Sequence, residues 1–497
     1  MARMRRLILN LASLAAIAAT GSCGQNTSPT VNIDVIGDSA DPFQGGARLG
    51  LGGQLVRAAT TDGLVAFDEQ GRVIPALADR WIVADDGMRY IFRLRDGNWS
   101  DGSQLSGEAV RDSLRAALDS LRGTALGKDL SVISEVRAMT GRVVEIRLAR
   151  ATPDLLDLLA QPEMGLLHKG KGSGAFLLQR DGKAALLRPL PPEKRATAAD
   201  SDRLGTIQPL RLSALPADGA AARFRDGLTS AVLGGTAADY AQALAVTDIS
   251  RRSFRIDPVA GLYGLVVTSA NGALATPEMR EALAMAIDRE ALGTDLQIRE
   301  WVPSNRLLPS SLSDAPPTIS ERWASMDMAQ RRSLAASRLA RLHKKGTVPP
   351  VLRPVLRIAL PTGPGADILF ARIKSDFAAV GIGTERTAWN AAADLRLVDA
   401  AARFARAAWY FNQFSCEAGR NPCSTIADNK AAAASAEPNP AKRAGLLEDA
   451  EAALTLANIY IPLGNPIRWS LVRGGQAGFA ANPRGWHPLG PLALSPK

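Results

Sequence analysis

Catalysis needs reactive side chains at fixed spacing, and this sequence offers few. Its 497 residues hold three histidines, His168, His343 and His487, and three cysteines, Cys23, Cys416 and Cys423. The histidines are far apart and none sits in an HExxH spacing, so a metal site has no sequence support. Gly165, four residues, then Gly170-Lys171 matches most of a phosphate-binding loop. Gly172 follows, where that loop needs a Ser or Thr for Mg²⁺. A GxSxG nucleophile elbow is absent. Paired carboxylates such as Asp85-Asp86 fall in a turn, where solvation accounts for them. The side chains therefore argue against an enzyme, a cofactor and a bound metal.

The cysteines carry more information. Met1 to Arg6 is a short positive segment, residues 7–20 are apolar, and Gly21-Ser22-Cys23 closes the run with small residues before a thiol. That layout predicts a secretory signal over residues 1–22. The apolar run is shorter than the ~20 residues that cross a bilayer. The cysteine directly after the cut resembles a bacterial lipoprotein signal, which implies acylation of Cys23 and a polar tether over 23–30. Cys416 and Cys423 then remain as an even pair around the loop CEAGRNPC. An exported chain predicts a disulfide between them.

Composition bounds the rest. A chain of this length exceeds one hydrophobic core, so two or three domains are expected. Hydrophobic residues make up 46% and charged residues 22%, ordinary for a globular protein. The net charge is +10, three of it from Arg3, Arg5 and Arg6. Basic runs with interleaved aromatics are absent, which excludes a nucleic-acid partner.

Strand and helix signals alternate along the chain, giving an α/β class. Residues 31–36 alternate apolar and polar as a strand. Residues 64–67 and 73–75 flank a turn, and Trp81 and Tyr90 lie on either side of another at Asp85-Asp86-Gly87. Ser106 caps a helix with apolar positions Val110, Leu114, Leu118 and Leu121, and Thr276-Pro277 opens a second. Asp218 is read as the cap of a third, over 218–228. A strand is expected at 263–268 and a long helix at 442–458.

Several ordered motifs now converge. Gly63-Leu64-Val65 with Phe67-Asp68, then VIPALADRW at 73–81, then Asp86-Gly87 with YIFRLRDG at 90–97, then Trp99-Ser100-Asp101-Gly102, together resemble the family 5 extracellular solute-binding proteins. These are receptors of ABC importers for peptides, nickel and related solutes. GSGAF at 172–176, PEMREALAMAIDREAL at 277–292 and IYIPL at 459–463 continue the resemblance in the same order. The resemblance implies a two-lobe periplasmic-binding-protein-like fold of class II with an extra N-terminal subdomain. Lobe I would take 31–50, 166–262 and 466–497, the subdomain 51–165, and lobe II 263–465. The implied protein is a monomeric receptor in the periplasm or cell envelope, lipid-anchored to a membrane. It would bind a peptide or peptide-like solute between the lobes and deliver it to an ABC permease. An envelope hydrolase or assembly factor on a similar scaffold is the alternative.

Ligand-binding candidates follow. Trp409, Tyr410, Asn412 and Gln413 offer aromatic walls and amides suited to a peptide, or else form a buried strand of lobe II. This segment lacks the aspartate that many relatives place near a peptide amine, and Glu417 is the nearest acid. Asp41, Phe43 and Gln44 follow the first strand, where a loop would face the cleft. Ser173 and Phe176 belong to the GSGAF segment, near the cleft mouth in the family pattern. Arg306 completes the set.

Overall fold

Strand sequence decides which sheets are buried. The computed structural model describes residues 30–191, 207–312, 314, 323–341, 354–419 and 422–494. The signal, Cys23 and its tether up to residue 29 lie outside them. One sheet has seven strands in the order Phe254–Ile256, Arg468–Val472, Ala231–Thr236, Val31–Ile36, Leu210–Leu215, Ala184–Pro189 and Phe176–Asp181. Its centre is parallel: Val31–Ile36 pairs in parallel with Leu210–Leu215 and with Ala231–Thr236. Parallel strands are covered on both faces, and residues 33–35 are accordingly all buried. Asp34 among them is fully buried and is held by the Arg223 guanidinium at 2.8 Å.

A second sheet has five strands: Gly383–Thr387, Val355–Ala359, Leu395–Ala401, Gly261–Val267 and Tyr460–Gly464. All seven residues of Gly261–Val267 are buried. The chain crosses between the two sheets twice, once between Ile256 and Gly261 and once between Gly464 and Arg468. The two sheets are therefore the two lobes, and the crossings join them. Helix Pro364–Ala378 of the second lobe packs on helix Ala237–Leu244 of the first. Gly363 and Gly365 permit this contact, since a side chain at either would run into the backbone of residues 237–238.

The third unit is an antiparallel sheet of Ala78–Ala84, Arg89–Leu94, Val143–Leu148 and Ile133–Met139, with the hairpin Val65–Phe67 and Val73–Pro75 beside it. Helix Gly107–Ser120 covers the sheet, with Val110 and Leu114 buried, and the Ser106 hydroxyl accepts from the Ala109 amide at 3.2 Å as its cap. The expected cap at Thr276 is also present, and Asp288 caps the helix that follows. The cap at Asp218 is not: the helix starts at Ala217 after Pro216, whose fixed φ already suits the turn.

The glycines of the GSGAF segment have a packing reason. The segment lies against the C-terminal end of helix Leu51–Thr60, and a Cβ at Gly174 would sit 2.5 Å from the Thr60 carbonyl carbon and 2.6 Å from the Ala59 oxygen. Gly219 has open space around it. Gly174→Val is expected to lower stability by about 2 kcal/mol through overpacking. Gly219→Ala, in a helix, is expected to raise it by about 0.5 kcal/mol. Urea unfolding midpoints check both.

Candidate functional site at the lobe interface

The Trp409 segment is a helix, Ala407–Phe414, and not a strand. Ala407, Tyr410, Phe411 and Phe414 fall at i, i+3, i+4 and i+7, which is one face of a helix, and all four are buried. The helix stops at Ser415, whose backbone is extended. A disulfide between Cys416 and Cys423 follows, with Cα atoms 5.3 Å apart. The Cys416 amide donates to Asp428 at 2.8 Å, which ties this loop to helix Thr425–Ala436.

Trp409 and Tyr410 point inward. They are 1% and 0% exposed, with ring planes perpendicular and centroids 4.9 Å apart. Trp409 Nε1 and Tyr410 Oη are buried without a hydrogen-bond partner among the described residues. Burial also pushes the Tyr410 hydroxyl pKa up, so it stays a donor. A buried polar group left unpaired costs roughly 1–3 kcal/mol. Both orphaned donors lie inside a packed apolar cluster with Phe411 and Phe414.

The remaining residues of this group hold the units together. Asn412 Nδ2 donates to Asp129 at 3.4 Å, and the Glu417 carbonyl accepts from Lys128 Nζ at 3.1 Å. Gln413 folds back onto the Trp409 carbonyl at 3.2 Å. Asp129 belongs to the subdomain, and it also takes both Arg403 Nε and Nη2, at 2.9 and 2.6 Å. Arg406 reaches Asp154 at 3.2 Å, and Arg484 bridges Asp157 and the Arg403 carbonyl. Burial raises the pKa of Asp129, Asp154 and Glu163, and nearby arginines pull each back down. Acidic groups of the subdomain thus meet arginines of the second lobe and the C-terminal segment across one interface. Arg306 is elsewhere, paired with Glu451 at 2.9 Å inside the second lobe.

The second group of candidates gathers at a different place. Phe43, Gln44 and Phe176 line a cavity of about 960 Å³ between the first lobe and the subdomain. Asp41 accepts from Gln44 Nε2 at 2.8 Å, and Gln44 Oε1 accepts from the Gly50 amide at 2.8 Å, so both brace the loop. Ser173 is buried near Asp62. The Trp409 helix does not line that cavity. Asp62 was missed by sequence reading because Asp62-Gly63 looks like an ordinary turn. Its Oδ2 is buried without a hydrogen-bond partner, and burial pushes its pKa up to about 7 against the pull of Arg95 and Ser173.

Residues 72–202 match the family model described as bacterial extracellular solute-binding proteins, family 5 middle. The architecture around that segment is the two-lobe fold with an added subdomain that the solved structures below share. A probable deoxycholate-binding periplasmic protein of Escherichia coli is 32% identical over 121 residues, 21% of this chain and 23% of that protein. A nickel-binding periplasmic protein of Escherichia coli is 34% identical over 100 residues, 20% of this chain and 19% of that protein. The chain therefore aligns with about a fifth to a quarter of these relatives' length. Solved structures extend the likeness to the whole fold. OppA of Haemophilus influenzae in complex with the peptide RPPGFSPFR superposes at a TM-score of 0.77, with 16% identity, over 94% of this chain and 99% of that one. The murein tripeptide binding protein MppA of Escherichia coli gives 0.77 at 18% identity, over 94% and 98%. MppA in its unliganded open form gives only 0.64 at the same 18% identity, over 94% and 97%.

Two experiments test this electrostatic layout. Asp129→Ala and Arg403→Ala, alone and together, are expected to show a coupling of about 2 kcal/mol in a double-mutant cycle. Small-angle scattering should show a larger radius of gyration for either single variant. For Asp62 the sign is set by its raised pKa. Below about 3.8 both folded and unfolded states are protonated and the fold has its full stability. Between about 3.8 and about 7 the unfolded state loses its proton first, so stability falls as pH rises. Asp62→Asn removes this loss. Its gain in Tm over the parent should grow from pH 4 to about pH 7 and then level off in thermal melts.

Proposed function

We propose that this protein is an exported solute-binding receptor of an ABC-type importer and that it captures a peptide or peptide-like solute between its lobes. The observation that carries the reading is the pair of orphaned donors, Trp409 Nε1 and Tyr410 Oη, buried side by side in an aromatic helix. Carbonyl or carboxylate oxygens of a peptide suit two neutral donors beside aromatic rings. Closure then follows from differential affinity: the solute pairs groups that are costly to bury unpaired, and the arginine–carboxylate contacts form around it. The family 5 fold supports a binding role, and the named relatives are binding proteins and not enzymes.

The rest of the reading concerns delivery. The signal-like residues 1–22 and Cys23 would export the chain and anchor it by acylation to a membrane of the cell envelope. More than one acyl chain is needed for stable anchoring. Among the described residues, no helix is long and apolar enough to cross a membrane. The receptor would act as a monomer and present its loaded closed form to a permease in the inner membrane.

The test is calorimetry and thermal shift with a library of two- to five-residue peptides, with glutathione and nickel ion as further arms. A peptide should raise Tm without being hydrolysed. Trp409→Ala should weaken its binding by more than roughly tenfold, as loss of a buried aromatic anchor does. Unchanged affinity, or peptide cleavage by the purified protein, would overturn the assignment.

A further inference from the structure

The cavity of about 960 Å³ between the first lobe and the subdomain is a second place where a ligand can sit, away from the lobe interface. Helix Leu51–Thr60 forms its floor, the loops 96–102 and 167–172 form its walls, and the start of strand Phe176–Asp181 forms its rim. That strand is at the edge of the seven-stranded sheet. Its burial pattern is unusual for an apolar sequence: Phe176 is buried, but Leu177 and Leu178 are 54% and 40% exposed. Leu167, across the cavity, is 38% exposed. Leu167, Leu177 and Leu178 all border the opening and leave apolar surface in water, at roughly 25 cal/mol for each Å².

The same cavity holds two cationic groups that form no direct ion pair among the described residues. Arg57 donates from Nη2 to the Gly165 carbonyl at 3.2 Å, and its Nε is buried with no hydrogen-bond partner. Glu163 lies near enough to raise the Arg57 pKa against the lowering effect of burial, but it accepts its hydrogen bond from Gln54 at 3.1 Å. Lys171, exposed in the loop above, forms no ion pair among the described residues. The acid of the lining, Asp96, is 88% exposed at the mouth and has Arg142 Nη1 2.8 Å away. A guanidinium with a buried free N–H, a second cation and an apolar rim match an anionic headgroup on an apolar body.

We propose that this cavity binds a single-chain amphipathic carboxylate, its headgroup on Arg57 and Lys171 and its chain over Leu167, Leu177 and Leu178. The volume accommodates one such chain, within the usual ~300–1,000 Å³ of small-molecule sites. The site is separate from the Trp409 helix, so it does not depend on the identity of the solute held between the lobes.

Titration calorimetry with sodium decanoate below its micelle concentration tests this, with decyltrimethylammonium and acetate as controls. One decanoate per chain should bind, and neither control should. Arg57→Gln and Leu178→Glu should each weaken decanoate binding at least tenfold, and Lys171→Glu should weaken it less. Leu178 is exposed, so its variant tests the site even where the Arg57 variant fails to fold. Absence of decanoate binding overturns the proposal. So does equal binding of the cationic amphiphile, or binding that neither Leu178→Glu nor Lys171→Glu changes.

Discussion

Much of the arrangement rests on one ion pair, Arg403 with Asp129. Asp129 is nearly buried, its side chain 3% exposed, while Arg403 keeps 22%. Removing a carboxylate from water is expensive, and the attraction repays it only when the geometry is good and the other lone pairs are satisfied. Here the guanidinium gives two hydrogen bonds and Asn412 gives a third. The pair joins the subdomain to the second lobe, and Arg484 extends it by donating to the Arg403 carbonyl. Such contacts gain little when the lobes part, because each charge then returns to water. They therefore add little net stability but fix which surfaces meet.

The donors on the Trp409 helix are a second constraint. A buried hydroxyl and a buried indole N–H there have no hydrogen-bond partner among the described residues, which costs stability. Asp62 is a comparable group at the junction of helix Leu51–Thr60 and the subdomain, where burial and not charge repulsion sets its pKa. Polar groups left incompletely paired in otherwise well-packed cores are where a sequence departs from what folding alone requires.

The local signals were legible wherever periodicity was clean. The strand at 31–36, the hairpin about Asp85–Gly87, the caps at Ser106 and Thr276 and the pairing of Cys416 with Cys423 all follow from residue type and spacing. The strand Ala231–Thr236 did not declare itself, because two glycines in AVLGGT break the β pattern; Gly235 is there to admit the Trp469 ring. The Trp409 segment misled because four aromatics in six residues suit a strand as well as a helix, and only the i, i+3, i+4, i+7 placement separates the two. Site residues were harder still. Asp129, Arg403 and Arg57 look like any surface charge in sequence, and their partners come from distant parts of the chain. The separation of Phe43 and Phe176 from Trp409 is likewise a property of packing between units.

The two chain crossings between the lobes have a mechanical consequence. They run side by side, since strand Gly261–Val267 pairs with Tyr460–Gly464 just beyond them and Phe254–Ile256 pairs with Arg468–Val472 just before. A single tether would let one lobe swivel about its own axis. Two adjacent tethers resist torsion and leave bending about the line across them as the soft motion. The Arg403 and Trp409 contacts then act at the end of a lever whose fulcrum is this double strap, so a few degrees of flexure become ångströms of separation where the units meet.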